Sequence, residues 1–436
     1  MHFRKRREFL SFTAIVIFLC KTCTASLLGI ASDYSAFIFG PVNLYNSDAG
    51  GGIAAKGDIT FTSYSSGRNK GTSQHTVISN GSVICTNGEI YNGGLYSGNN
   101  TGLQGTLIQG DIATRNNLQQ QGGGTYTGNI ITGGTASVEP YLISKVVYRD
   151  PGVCPIDFSA EEQRLISLSL ELRTQNINGT IQEDGYGAVT LTGTENVNFF
   201  LISGSKLQTT HTVNFNIPSG SIAVVNVPGL TVSFSSKGIF YSDAEDILFN
   251  FYECRSLEVK NIGVKGSILA PNADMVFIDG HTEGSVIAKS ITGNGEFHYS
   301  FFTHDIELVP NITPMLENVI ENRNGTFSAM FGYDNPGGTR SITPGSPGNS
   351  FYYQGLGGQV LNQPEQFVHG RVTGAFTVIF DGSRLEWTLN GRTVFATGEH
   401  TGGEEADTLR VICSKWPIPP GRAVSYGVPS IQKPRP

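Results

Sequence analysis

The chain has 436 residues, of which 39% are aliphatic or aromatic, 15% are charged and 55 are glycine. That length exceeds most single domains, and the apolar content excludes a disordered chain. The glycines are dispersed among short apolar runs rather than set in triplets. This excludes collagen and predicts many short strands joined by turns.

Residues 1–25 read as an export signal. Arg4, Lys5, Arg6 and Arg7 form a basic segment, and Phe9 to Cys20 form an apolar one. That stretch is shorter than the roughly 20 residues that span a bilayer, and small residues up to Ala25 offer a cleavage point. The Arg6-Arg7 pair also fits a twin-arginine signal, and an uncleaved membrane anchor is the alternative. Removing the segment takes away five basic residues and Glu8, which leaves 24 Lys and Arg against 35 Asp and Glu, a net charge of −11. Such a balance disfavours nucleic acid as a partner and suits an extracellular surface without membrane insertion.

From Asp33 to Phe302 a glycine repeatedly opens a short run of β-formers. Gly110-Asp111-Ile112-Ala113-Thr114 recurs as Gly128-Asn129-Ile130-Ile131-Thr132. Gly266-Ser267-Ile268-Leu269-Ala270 recurs, at the same offset of eighteen, as Gly284-Ser285-Val286-Ile287-Ala288. At about 3.3 Å per residue, a period of that length traces an extended loop of roughly 60 Å, a triangle with strand-length sides. Such loops stack at about 4.8 Å and bury a shared interior. The spacing predicts a right-handed β-helix, or solenoid, with each repeat pair in neighbouring layers. Ile268 and Ala270, Val286 and Ala288, Val213, Phe215 and Ile217, and Leu230, Val232 and Phe234 are the expected inward positions.

One segment has another period. Leu165, Leu168 and Leu172 recur at helical spacing, with Ser159 as the expected cap and Glu162 completing a capping box. This predicts one α-helix flanking the solenoid.

A linker is expected over 303–317 and a small β-sandwich over 318–400. Its strands are expected at Thr326–Tyr333, Phe376–Phe380, Leu385–Leu389 and Arg392–Ala396, with tight hairpins at Asp381-Gly382 and Asn390-Gly391. Trp387, Phe380 and Phe395 are the expected core, Gly337–Gln366 a long loop, and 401–436 an extended tail.

Four cysteines outside the signal, Cys85, Cys154, Cys254 and Cys413, permit two disulfides in an exported chain, with the pairing open. Asn-x-Ser/Thr sequons mark Asn80, Asn99, Asn178, Asn311 and Asn324 as candidate glycosylation sites. Asp274, Asp279, His281, Glu283, Glu296 and His298 are the best available set for acid–base chemistry, and His281-Thr282-Glu283 could place a His and a Glu on one strand face. Their expected place is the turns between layers, where such residues satisfy backbone groups. No nucleophile elbow, phosphate loop or zinc-protease motif is present, and no aspartate-rich calcium loop. The reading is therefore non-enzymatic, with no cofactor, catalytic residue or metal site. Thr60-x-Thr62, Thr125-x-Thr127 and Thr190-x-Thr192 are candidates for an ordered-water or ice-binding face, although their spacing gives them no common face.

Ordered blocks in this region carry a resemblance. Asp33-Tyr34-Ser35-Ala36-Phe37-Ile38-Phe39-Gly40 leads to Gly52-Ile53-Ala54-Ala55-Lys56-Gly57-Asp58. Asp157-Phe158, Leu191-Thr192-Gly193 and Ile247-Leu248-Phe249-Asn250-Phe251 follow, and then the Gly266 and Gly284 blocks and Gly293-Asn294-Gly295-Glu296-Phe297-His298. The chain resembles the choice-of-anchor A family of ice-binding-like adhesive domains over Asp33–Phe302. The resemblance implies a right-handed β-helix with a helix alongside, and an adhesive or structural role at a cell surface or in matrix. Its expected partner is an extracellular glycan, matrix or cell-wall component. Ice binding and a carbohydrate-active β-helix enzyme are the alternatives. No Leu-Pro-x-Thr-Gly sorting motif or apolar tail is found, so the mode of attachment stays open. Asn318–Ala396 is similar, more loosely, to a β-sandwich repeat found beside surface domains.

Overall fold

A computed structural model describes residues 26–400 of the chain, apart from 242, 310, 347, 354–358 and 391. The expected export signal, the expected tail over 401–436 and Cys413 lie outside the described residues. The chain is mainly β and divides into two compact units between Asn311 and Ile312.

The first unit is built mainly from three ladders of parallel strands, with one antiparallel pair, Thr180–Glu183 against Ala188–Thr192. Both sequence repeats fall in neighbouring layers of the first ladder: Ile112 pairs with Ile130, and Ile268 with Val286. A full layer adds a strand to the first ladder, then the second, then the third, while in two layers a short helix, Gly204–Thr209 or Pro140–Lys145, stands in place of one strand. One layer runs through Ser267–Ala270, Asp274–Ile278 and His281–Glu283 and is followed by Val286–Ala288, Ser290–Gly293 and Glu296–His298. The order of layers departs from chain order at one place. The first strand, Tyr34–Ile38, lies between Val286–Ala288 on one side and Gly52–Ala55 on the other.

Alternation fills the interior. Ile268, Ala270, Val286 and Ala288 are fully buried in one apolar cluster with Val213, Val232 and Phe234. Phe215 and Ile217 pack against it while partly buried. Leu230 is the exception: it precedes the strand Thr231–Ser235, just after the turn at Gly229, and stays 55% exposed.

The corners explain the glycine texture. A Cβ on Gly284 would lie 2.5 Å from the carbonyl carbon of Gly266, and one on Gly128 would lie 2.4 Å from that of Gly110. At the corner from the third ladder to the first, successive layers are therefore in backbone contact, and only glycine fits. At the corner from the second ladder to the third, Asn46, Ser63, Asn87, Asn261 and Asp279 take the left-handed conformation, which short polar side chains tolerate.

The helix α1 spans Phe158–Leu172 and buries Leu165, Leu168 and Leu172. Its cap is Asp157 rather than Ser159. The Asp157 carboxylate accepts from the backbone N–H groups of Ser159 and Ala160, both at 3.1 Å. A carboxylate is the stronger acceptor at the positive end of a helix, and starting at Phe158 adds that ring to the buried face. The helix covers the outer side of the first ladder, where Phe37, Ala54, Val224, Leu248, Leu269 and Ile287 form a second apolar cluster with it. The middle of that ladder is thus buried on both faces, as parallel sheets usually are, while Val147 and Leu201 on its two end strands stay exposed. Buried amides fasten the helix. Asn250 Nδ2 donates to the Ser169 carbonyl and to Asn226 Oδ1, both at 2.8 Å, while the Ser169 hydroxyl donates to Asn250 Oδ1 at 2.6 Å.

Among its described residues the second unit holds two larger antiparallel sheets around one apolar cluster, and a two-stranded one that pairs Arg340–Ser341 with Gln366–Phe367. One contains Thr313–Glu321, Phe327–Asn335, Gln359–Leu361 and Gly370–Phe380. The other contains Asn349–Tyr353, Leu385–Leu389 and Arg392–Ala396. Asn390 begins the expected hairpin, with φ of 47°. The Asp381-Gly382 turn instead passes between sheets, because its flanking strands have no pairing with each other. Part of the expected loop Gly337–Gln366 is strand, including Asn349–Tyr353. Trp387 packs against Phe331, Phe351 and Phe376. Phe395 is not in that core and lies under the Arg384 guanidinium at 4.1 Å.

Layer contact at the glycine corner makes a stability prediction. Gly284→Ala should destabilise the fold by about 1–3 kcal/mol, the range for forced overpacking. Gly71→Ala, where a Cβ meets nothing within 4 Å, should change it by less than ~0.5 kcal/mol. Urea unfolding followed by far-ultraviolet circular dichroism measures both, and equal stabilities would remove the corner argument.

Candidate functional site

Charged and titratable side chains gather on the outer face of the third ladder. Two neighbouring strands supply the centre, His281–Glu283 and Glu296–His298, aligned so that His281 is in register with Glu296 and Glu283 with His298. The middle residue of each triplet, Thr282 or Phe297, is fully buried, so the flanking residues face outward on one side. A His-x-Glu strand beside a Glu-x-His strand therefore makes a square of four side chains with like residues on the diagonal.

The two imidazoles stack, with ring centroids 4.6 Å apart and planes 11° from parallel. His281 Nε2 lies 3.8 Å from Glu283 Oε1, and His298 Nε2 lies 3.2 Å from Glu296 Oε1. Lys265, in register with Glu283 on the preceding strand, makes an ion pair with the Glu283 carboxylate. Partial burial holds the His281 imidazole below its ordinary pKa, and the adjacent His298 adds to this against the opposing pull of Glu283 and Glu296.

The strip continues across the junction with the first layer. Ala49 pairs with Phe297, and Asp48 is in register with Ser65, which is in register with Glu89. Burial, and then the charge of Glu296, raise the Asp48 carboxyl above the usual range. Glu89 accepts from the Tyr91 hydroxyl and from Arg68 Nη2 at 3.2 Å, and the Tyr91 bond is the main cause of its lowered pKa. These outer contacts are solvent-exposed and contribute little to stability.

Of the six residues expected at turns, the structure brings four together and places them in strands. Asp279 alone occupies a turn, where its carboxylate accepts from Asn294 Nδ2 at 2.9 Å. Asp274 lies on the second ladder and accepts from the Ser290 hydroxyl at 2.6 Å and from Lys289 at 2.9 Å. Among the described residues, His281, Glu283 and His298 form a group whose ligand atoms all lie within 4.8 Å of one another. Against the expectation of no metal site stands this one set of suitable composition. In chemical terms the square can hold a cation or exchange protons between imidazole and carboxylate.

The family model of an ice-binding-like adhesive domain matches residues 27–299. The chain belongs to that family. A search of curated proteins returned no match. The matched adhesive domain contains all three ladders, the helix α1 and the titratable strip.

Within the adhesive domain, Cys85, Cys154 and Cys254 are free thiols, so no disulfide joins any two of them. Cys85 points into the interior, where burial pushes its thiol up to about 12. Cys154 packs beside the helix cluster, and the Cys254 thiol donates to the Ser256 carbonyl at 3.1 Å. Each thiol is thereby held in a different part of the structure. Of the sequons, Asn80, Asn178 and Asn324 are exposed. Asn99 Nδ2 donates to the Ser82 hydroxyl at 3.1 Å, Asn178 Nδ2 to the Val197 carbonyl at 2.9 Å, and Asn311 accepts from the Thr174 hydroxyl at 2.5 Å. The three Thr pairs do not share a strip: Thr60 and Thr62 lie on the second ladder, Thr125 on the third, and Thr190 and Thr192 in the strand Ala188–Thr192.

No helix among the described residues is long and apolar enough to cross a membrane.

The stacked imidazoles predict a linked titration. His281 binds its proton less readily in the folded state than in the unfolded chain. Its contribution therefore favours folding least at acid pH, and stability falls as pH drops from about 6.5 towards the depressed value. NMR titration should give a His281 midpoint below 6.5. His298→Ala should raise that midpoint by removing a like charge, and Glu283→Gln should lower it. A midpoint at or above 6.5 in the parent would contradict the geometry.

Proposed function

We propose that the first unit is a right-handed β-helix and acts as a non-catalytic adhesive module, presenting its second ladder to an extracellular glycan, matrix or cell-wall component. On this reading the second unit is a small β-sandwich, and the chain is exported by its N-terminal segment. The family match supports the adhesive role. The observation that carries the choice of face is a column of outward strand positions in continuous register. It runs through Ser233, Glu258, Val276, Thr292, Asn43, Thr60, Ile84, Gly102, Gln119 and Ser137. At about 4.8 Å per strand it extends roughly 43 Å. The helix covers the first ladder and the titratable strip occupies the third. The second ladder is left as a polar, regularly spaced wall on which Ile84 and Val276 stay 51% and 42% exposed. Affinity for a repetitive partner would arise from many shallow contacts along such a wall.

Ice is the second reading, because Thr60, Thr62 and Thr292 lie on the same wall. A carbohydrate-active enzyme is the third, and it would use the Glu283 and Glu296 carboxylates.

Retention of the full chain on insoluble polysaccharides, collagen and cell-wall fractions tests the adhesive reading. The double substitution Ile84→Lys, Thr292→Arg should cut retention at least tenfold without changing the thermal midpoint. Retention indifferent to both charges would remove the proposed face. Inhibition of ice recrystallisation at micromolar protein would favour the ice reading. Soluble product released from a polysaccharide, and lost with Glu283→Gln, would establish the enzymatic one.

A further inference from the structure

We propose that His281, Glu283 and His298 form a binding site for one divalent transition-metal ion of the zinc class. The inference is independent of which partner the second ladder takes. The donor set is two imidazoles and a carboxylate, which suits Zn²⁺, Cu²⁺ or Ni²⁺ and not calcium, whose sites are built from six to eight oxygens. The donor atoms already lie within 4.8 Å of one another, and the His281–Glu283 pair is at 3.8 Å. Around a tetrahedral ion with bonds of about 2.0–2.1 Å, ligand atoms sit about 3.4 Å apart. Small side-chain rotations close that difference while the backbone stays fixed.

The scaffold supports those rotations. The three residues project from two strands in parallel register, over the buried Thr282 and Phe297. Glu296, in register with His281 and 3.2 Å from His298 Nε2, can orient the His298 ring as a carboxylate commonly does for a ligating imidazole. Lys265 supplies a separate indication. Its ammonium is drawn onto Glu283, so a positive charge already occupies the mouth of the set. An incoming ion must displace that ammonium or take the second carboxylate oxygen. Lys265 is therefore a competitor whose removal tightens metal binding, whereas removal of a ligand weakens it.

The test is titration of the full chain with Zn²⁺ after chelator treatment and alkylation of accessible thiols, by calorimetry, with Cu²⁺ electron paramagnetic resonance as a second readout. One equivalent of Zn²⁺ and a two-nitrogen Cu²⁺ signal are expected. His281→Ala and His298→Ala should each weaken Zn²⁺ at least tenfold and remove one nitrogen. Glu283→Gln should weaken it severalfold, and Lys265→Met should tighten it. Absence of stoichiometric uptake by the parent overturns the assignment, as does an affinity unchanged in both histidine variants. If a histidine variant melts early, Lys265→Met decides the matter, because it retains all three ligands. Weaker binding in that variant also overturns the proposal.

Discussion

The pairing of Ala36–Ile38 with Val286–Ala288 holds the first unit together. These segments stand near opposite ends of the unit's sequence, yet they are neighbouring strands of one ladder. On one side of this junction the layers run forward from Gly52–Ala55, and on the other they run back from Val286–Ala288. Without it, each half-stack would end in an unpaired parallel edge above an open apolar interior. The side chains at the junction are small or aliphatic: Ala36, Ile38, Val286 and Ala288 are all fully buried. So long a closure must be made before its contacts stabilise anything, which places this fold among slow, non-local topologies.

The junction also assigns work to the three ladders. The first is apolar on its outer side and needs the helix, fastened through Ser169, Asn226 and Asn250. Those buried amides have no water to turn to, so their mutual bonds fix where the helix sits as well as whether it stays. The third ladder crosses the junction at Ala49 and Phe297, and this brings Asp48 of the first layer towards Glu296 of the last. The titratable strip is thus a product of the closure. The second ladder crosses it too, at Asn43 and Thr292, and that crossing makes the outer column continuous.

Much of this was legible in the sequence, and the failures share a cause. The two glycine-led repeats gave correct neighbours because their corners are of equal length. Elsewhere corners vary while strands keep register: Ile53 pairs with Val77 and Ala223 with Ile247, each across a longer interval than the repeats show. A period search fails wherever a loop lengthens a layer. The same effect hid how the candidate site is assembled. Glu296 and His298 stood in the candidate set with His281 and Glu283, but their register was not legible, because the last layer is shorter than the one before it and brings them in early. The place of the first strand has no sequence signal at all, since stacking order leaves no period. In the second unit Asp381-Gly382 announced a reversal correctly, but turn residues specify a bend and not a pairing partner.

Rigidity gives the third ladder its chemical interest. Two histidines and two glutamates are common on exposed surfaces and ordinarily sample many arrangements. Here the strands bearing them are tied above and below, to Gly263–Lys265 and to Ala49, and their intervening residues are locked in the core. Ordering these side chains therefore costs only their own rotamer freedom, because backbone entropy was already lost on folding. The stacked rings show the consequence. Partial burial, with His298 stacked 4.6 Å away, holds the His281 imidazole below its ordinary pKa, which leaves that ring neutral at ordinary pH. A neutral imidazole beside a carboxylate, on a backbone that does not move, is a preorganised receptor for a cation, and Lys265 already answers to that field.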